Sequence, residues 1–592
     1  VVGATGGTDD TREGAATAEW RGWAGPLLLI VTAAAMVWWT WGAWPDPLVD
    51  FGRELYVPWR LALGDRLFTD VAWFSGPLSQ HWNALLFRTF GPGLSVLVWS
   101  NVVVLVACTG MLYGLITRLS DRLAATVAAL VFLLVFAFGQ YVGIANYNWI
   151  TPYSHEVTHG VALSLAALVA LERWLRTGSV PSVALGGLAL GLCFLTKVET
   201  FLAGAAASVV MLAPAVRARD GRSLAAFTGA ALAPIVASVL FLGLRGTLGG
   251  WPSVLAGEVA ELAFYRADMG LDRPGARIAE MLAWSGIWVA AFALPVAASW
   301  LGRDTSGPFP PLAVGALGLL ALAALGGRIP WPDVLRPLPL VTVVAGAGLV
   351  IAARKRGWTP RTVAGLAFAA LGLVLLLKIL LRARVAHYGF ALAMPASLVL
   401  VTTLLGWLPS WLDGRGFRGD VVRAYALALL AVFAVEHLST TSAWMSTKTE
   451  VVGTGRDAFR SDARGVFVNE AVAYLAASNA RSVVVLPEGV QINYLARVPN
   501  PTPFVNFMPP EEIIFGDDGW VEAFRRAPPD VILIVPKDTS EYGRGSFGSG
   551  YGESLAAWVA SEYVREGAIR VDGIAFEIVI LVRREPASSG DP

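Results

Sequence analysis

The sequence predicts a polytopic α-helical membrane protein, with about thirteen transmembrane helices, that ends in an extracytoplasmic α/β domain. Three observations predict it. Of 592 residues, 55% are hydrophobic and only 15% charged, against about 25% charged in an ordinary soluble chain. Apolar runs of roughly 20 residues recur, each long enough for a helix to cross a hydrocarbon core. Past residue 455 the pattern changes: charges become frequent and the apolar runs shorten. Lipid tolerates only helices and closed barrels, and continuous runs rather than ten-residue alternations select helices. The mean hydropathy is +0.59. The net charge is +1, so overall charge points to no nucleic-acid partner.

Taken in order, residues 1–22 read as a disordered cytoplasmic tail. Val1 to Glu19 is acidic and lacks the basic start of a cleaved signal peptide. A membrane domain over 23–440 follows, with spans at about 24–44, 94–116, 123–142, 158–175, 180–195, 201–216, 224–244, 281–301, 310–326, 338–353, 361–381, 386–408 and 421–438. Arg118, Arg122, Arg173, Arg176, Arg217, Arg219, Arg222, Arg354, Lys355, Arg356, Arg361, Arg415, Arg418 and Arg423 fall in short loops on one side, which the positive-inside rule makes cytoplasmic. The N-terminus shares that side, and an odd number of spans sends the C-terminal domain out. The expected location is the inner or cytoplasmic membrane, crossed many times. Cys108 and Cys193 both fall inside predicted spans, so a disulfide framework is not expected.

The predicted outer loops are 45–93, 143–157 and 245–280. Within the first, Phe51–Ala62 and Leu78–Phe90 have helical apolar spacing and suit the membrane interface. In the C-terminal domain, 455–592, Ser482-Val-Val-Val-Leu-Pro487 and Asp530-Val-Ile-Leu-Ile-Val535 read as buried strands. Residues 463–479, 517–527 and 553–565 read as helices beside them.

Polar chemistry gathers in the first two outer loops. Asp50 and Glu54 are four apart, so an interfacial helix would put both carboxylates on one face. They would bind a divalent cation there, or one would act as a general base tuned by the other. A solvated polar face with Arg53 as partner would read the same way. All five histidines, His81, His155, His159, His387 and His437, map to the outer membrane edge in this topology. His155 and His159, four residues apart, are spaced to meet one ion. His81 and His437 read as plain interfacial anchors. Lys197, Lys378, Arg382 and Arg384 are cations at membrane depth, where ionisable groups line cavities or pair. They suit a lipid phosphate whose tail stays in the bilayer, although snorkelling explains Lys378 nearly as well. Trp73, Tyr147, Trp149 and Tyr153 place aromatic faces beside the acids. That suits a sugar ring and equally an interfacial belt. No Walker-type phosphate loop occurs in the chain.

These residues together resemble the GT-C superfamily of polytopic glycosyltransferases, in the branch of protein mannosyltransferases and lipid A aminoarabinose transferases. The resemblance rests on Val49-Asp-Phe-Gly-Arg-Glu54 after the first span and on Gly76-Pro-Leu and Asn83-Ala-Leu in the same loop. Pro152-Tyr-Ser-His-Glu-Val-Thr-His-Gly160, Gly191-Leu-Cys-Phe-Leu-Thr-Lys197 and an outer C-terminal domain complete it. It implies transfer of a sugar from a polyprenyl-phosphate donor, a membrane lipid, to a protein, lipid or cell-envelope glycan outside the membrane, by an inverting single displacement. By the same resemblance Asp50 is the catalytic acid/base residue, assisted by Glu54, His155 and Glu156. Lys197, Lys378, Arg382, His387 and Tyr388 would hold the donor phosphate. Trp73, Tyr147, Tyr153 and His159 would meet sugar or acceptor. The mannosyltransferases' adjacent Asp-Glu pair is absent, since Phe51 follows Asp50. Metal use varies in the superfamily; a divalent cation here would take Asp50, His155 and His159. The main rival is a transporter or flippase for a lipid-linked saccharide. Broken helices in paired halves and polar groups near the midplane would mark that, whereas polar groups here gather at one edge.

Overall fold

Apolar runs become helices because a helix satisfies its own backbone hydrogen bonds where no water is available. The computed structural model describes residues 9–269, 271, 273–304 and 307–584. Residues 1–8 of the predicted tail lie outside the described residues, and from Asp9 the chain is already in the first helix, Asp9–Thr40. Every predicted span overlaps a helix, but not all thirteen meet the length and hydropathy of a crossing. Among the described residues ten do, while Arg122–Ala137 and Val180–Phe194 are shorter apolar helices. The remaining window lies in His155–Thr177, which carries Glu156, Glu172, Arg173 and Arg176. Gly221–Leu244, Pro274–Leu301 and Phe309–Leu325 leave Leu244, Val289, Leu294 and Leu320 exposed. Such an apolar outer surface suits lipid rather than water, and the chain is a multi-pass membrane protein.

The predicted outer segments are built, not loose. Helices Phe51–Leu63 and Leu78–Phe90 form where the apolar spacing predicted them and pack on each other. They do not simply lie on lipid, because the C-terminal domain covers them. Asn500 N–H donates to the Tyr56 hydroxyl at 2.9 Å, and Ala72 N–H to Pro503 O at 2.8 Å. A Cβ on Gly52 would stand 2.6 Å from the backbone nitrogen of Gln491; the close approach needs glycine. Gly76 serves the same purpose on the other side. Its N–H donates to Thr196 O at 2.7 Å, Leu78 N–H to Leu195 O at 2.9 Å, and a Cβ would meet both carbonyls at 2.3 Å. That clamp sets the first loop beside Lys197.

The C-terminal domain holds a short antiparallel pair, β1 (Glu450–Val452) with β2 (Phe459–Ser461). Its main sheet comprises β3 (Val483–Leu486), β4 (Val531–Ile534), β5 (Tyr563–Arg570) and β6 (Glu577–Arg583), in the order β3-β4-β6-β5. β3 and β4 are the two predicted strands. They run parallel, with Leu486 opposite Ile534, so the loops after both leave from one edge. Helices Arg464–Ala477, Asp517–Arg526 and Glu553–Glu562 match the predicted ones. The β5–β6 hairpin was not read from the sequence, because charged and small residues break its alternation: Arg565, Glu566, Gly567 and Arg570.

Candidate active site

The site begins with a turn. Asp46 Oδ1 accepts the N–H groups of Leu48 (3.1 Å) and Val49 (3.0 Å), a local bond that Asp makes readily in turns. Asn146, from the second outer loop, accepts from Asp46 N–H at 2.9 Å and donates to Val49 O at 2.6 Å. Held at both ends, the chain closes a γ-turn on Asp50: φ is 58° and ψ −68°, and Phe51 N–H donates to Val49 O at 2.7 Å. This turn is rare and strained for a residue with a side chain, at a cost of about 1–3 kcal/mol, and strain of this kind clusters at functional sites.

The turn overturns one expectation. Asp50 precedes the helix instead of lying in it, so Asp50 and Glu54 do not share a face. Asp50 is 3.5 Å from Arg53 Nη2 and takes its N–H to Glu488 Oε1 at 2.9 Å; Glu488 Oε2 meets Lys537 Nζ at 2.6 Å. Burial, with Glu488 and Glu541 nearby, outweighs Arg53 and Lys537 and pushes the Asp50 carboxyl up to about 7.

Glu54 enters a different, wholly buried network. Its Oε2 lies 2.7 Å from His155 Nδ1 and accepts from Gln80 Nε2 at 3.0 Å. The same Gln80 amide donates to Glu156 at 3.0 Å, and Ser154 Oγ donates to Glu156 at 2.8 Å. His155 Nε2 is 2.9 Å from Asn101 Nδ2, so both of its ring nitrogens are engaged. His159 Nδ1 is 3.0 Å from Ser79 Oγ. The expected assisting trio of Glu54, His155 and Glu156 therefore ties the two loops together. The expected metal set of Asp50, His155 and His159 is not assembled. No group of three or more His, Cys, Asp or Glu side chains among the described residues is placed to hold an ion. His155-Glu-Val-Thr-His159 has the spacing of a zinc-protease helix, but here both ring nitrogens of His155 are engaged, by Glu54 and Asn101.

Two neighbouring cavities lie beside Asp50. The larger, about 290 Å³, is lined by Asp50, Tyr147, Arg384, Glu488, Glu511 and Lys537, among others. The smaller, about 30 Å³, is lined by Tyr153, Lys197, Glu199 and Lys378. Arg53 and His387 line both. Glu199 Oε1 lies 3.6 Å from Lys197 Nζ and 4.0 Å from Lys378 Nζ, so the smaller cavity gathers two lysines around one carboxylate, with Arg53 also in its wall. His387 Nδ1 accepts Gly389 N–H at 2.8 Å. Burial pushes Glu511, in the larger cavity, up to about 7.

The remaining expected residues divide. Tyr147 lines the larger cavity and Tyr153 the smaller. Trp73 is buried one residue away, stacked on Phe74, and Phe74 reaches the larger cavity instead. His159 lines neither of the two. Arg382 turns to Glu280 at 3.9 Å, in a cluster with Arg336, and Arg384 lines the larger cavity in its place. The Tyr388 side chain lies outside the described residues. His81 Nδ1 bonds Pro77 O at 2.8 Å, and His437 is buried against Tyr141. Sequence reasoning gave no site role to Arg53, Glu488, Glu511, Lys537 or Glu541. Pro487-Glu-Gly489 and Pro509-Pro-Glu511 do stand out as short polar stretches with turn residues. Nothing in their spacing says which residue they face.

No family model matches the sequence, and no curated protein matches it. Solved structures do. The crystal structure of ArnT from Cupriavidus metallidurans bound to undecaprenyl phosphate aligns with 95% of this chain and 98% of its own, at 12% identity and a TM-score of 0.51. The chain shares the fold of that structure. The Archaeoglobus fulgidus oligosaccharyltransferase, tethered with an acceptor peptide containing the NVT sequon, matches at 12% identity over 94% of this chain and 74% of that one, with a TM-score of 0.49. The same protein in complex with Zn and sulfate matches over 86% and 67%, at 12% identity and a TM-score of 0.47.

Proposed function

We propose that the protein is a glycosyltransferase that moves a sugar from a polyprenyl-phosphate donor to an acceptor hydroxyl at the outer membrane face. One observation carries the reading: a cationic cavity and a cavity holding a strained, partly buried aspartate adjoin through Arg53 and His387. The fold match to a structure bound to undecaprenyl phosphate supports the donor class, and the positive-inside asymmetry supports the outer face. On this reading 23–440 is the membrane domain, 455–592 lies outside, and the N-terminus is cytoplasmic.

The donor phosphate sits against Lys197, Lys378 and Arg53, with its lipid tail in the bilayer and its sugar in the larger cavity. Ionised Asp50 takes the proton of the acceptor hydroxyl. That oxygen forms a bond to the anomeric carbon while the bond from that carbon to the phosphate oxygen breaks, and its electron pair leaves with the polyprenyl phosphate. The cations stabilise the charge growing there. Attack opposite the leaving group inverts the anomeric centre.

The test is a transfer assay with purified protein in lipid nanodiscs, supplied with radiolabelled undecaprenyl-phosphate sugars and a panel of hydroxylated acceptors. Donor-dependent product, lost in Asp50→Asn, is expected. Equal turnover by parent and Asp50→Asn would refute the reading.

A further inference from the structure

We propose that the C-terminal domain completes the catalytic centre, with Glu488 and Lys537 as positioning residues that hold Asp50 in its turn and face its carboxyl. The proposal rests on the reading of Asp50 as the acceptor base.

The topology explains how they arrive. β3 and β4 are parallel and in register, Leu486 opposite Ile534, and Val535 N–H extends the pairing to Leu486 O at 2.8 Å. Glu488 and Lys537 follow these strands by two and three residues, so both emerge at the carboxyl edge, where parallel sheets commonly bind ligands. That edge meets the turn. The γ-turn uses the N–H of Phe51 and leaves that of Asp50 pointing away, in need of an acceptor. Glu488 Oε1 supplies it at 2.9 Å, and Lys537 fixes the other carboxylate oxygen at 2.6 Å.

Docking alone does not require this pair. The domain is already anchored elsewhere, by Arg460 N–H to Gly42 O, Arg460 Nη2 to Trp41 O, Ala72 to Pro503, Asn500 to Tyr56 and the ion pair of Arg464 with buried Asp46 at 2.8 Å. A largely buried ion pair is an expensive brace. Here both members also line the Asp50 cavity, where they act on its charge. The ionisable groups around the Asp50 carboxyl are Arg53 from the helix that follows it, Tyr147 from the second loop, and Glu488, Glu511, Lys537, Glu541 and Tyr542 from the C-terminal domain. Arg384 and His387 line the same cavity. Glu488 opposes ionisation of Asp50 and Lys537 favours it. Removing them should shift Asp50 in opposite directions, which loss of a brace would not do.

Two readouts on the full-length protein in nanodiscs decide it. The first is carbodiimide labelling of Asp50 against pH, read by mass spectrometry, which needs no substrate. Glu488→Gln should move the labelling midpoint to lower pH and Lys537→Met to higher pH, relative to parent. Unmoved midpoints in both, with melting temperatures at the parent value, overturn the proposal. The second is transfer. Glu488→Ala should lower kcat at least tenfold with donor KM little changed, and Glu488→Gln, which can still accept the Asp50 N–H, should recover part of it. If Asp50→Asn is inactive while Glu488→Ala keeps parental kcat and pH profile, this inference fails alone. If Asp50→Asn is active, the underlying reading fails.

Discussion

Glu54 Oε2 lies 2.7 Å from His155 Nδ1, with both side chains fully buried. The contact joins residues 101 apart in sequence and locks the first outer loop to the start of the helix His155–Thr177. With Gln80, Ser154, Glu156 and Asn101 it forms one connected polar network. Truncating either residue leaves a buried partner unsatisfied, at about 1–3 kcal/mol per group. His155→Ala and Glu54→Ala are therefore expected to lower the melting temperature in detergent by several degrees. Glu54→Gln should cost less, since it can still accept from Gln80. Wild-type melting with abolished transfer would show instead that these residues act in the chemistry.

Asp50→Asn is expected to fold as the parent does, because the amide fits the same turn and asparagine tolerates positive φ. A lost general base costs typically about 10²–10⁴-fold in rate. Transfer should fall by that order while undecaprenyl phosphate binding, followed by calorimetry in nanodiscs, stays near the parental affinity.

The pH dependence has a definite sign. A base works ionised, and burial holds the Asp50 carboxyl at about 7. Transfer should rise about tenfold per pH unit below that value and level off above it. Stability runs the other way. Glu511 is raised from 4.5 to about 7, so the folded state holds its proton more tightly than the unfolded chain. Its contribution is present in full below about 4.5 and is lost as pH rises through about 7. Between pH 5 and 8 the parent's melting temperature should therefore fall relative to that of Glu511→Gln.

Lys197 and Lys378 flank Glu199 in the cavity assigned to the donor phosphate. A hydrogen bond to a charged group is worth about 1.5–3 kcal/mol, roughly a tenfold to hundredfold effect. Lys197→Ala and Lys378→Ala should raise donor KM by that factor, and Lys378→Arg should keep most of the affinity. Unchanged donor KM in both alanine variants would move the phosphate elsewhere.

Among the described residues no group of three or more His, Cys, Asp or Glu side chains is placed to hold an ion, and Arg53, Lys197 and Lys378 line the cavity assigned to the donor phosphate. Transfer is expected to survive treatment with a strong chelator followed by gel filtration, with less than twofold change. Loss restored by added divalent cation would contradict this.

Hydropathy alone located the helices of the membrane domain, because burial in lipid imposes a residue-by-residue constraint that a window of sequence records. The two parallel strands and the helices beside them were legible for a related reason: short apolar runs bounded by turn residues mark buried segments wherever they lie. The polar clustering in the first two predicted outer loops was legible as well. The division of labour within that cluster was not. Asp50 and Glu54 are four apart, yet a γ-turn set by Asp46 and Asn146 sends them to different surroundings. Asn146 stands 97 residues from the Val49 carbonyl it holds. Arg382 and Arg384 exchanged places for a similar reason, since Glu280, in a distant helix, draws one of them away. Glu488 is 438 residues from Asp50, and no local pattern marks it as a neighbour. The sequence by itself determined what each segment buries and where ionisable groups gather. Only the tertiary structure decided which of those groups face one another, because pairing between charges depends on separations of a few ångströms that chain distance does not encode.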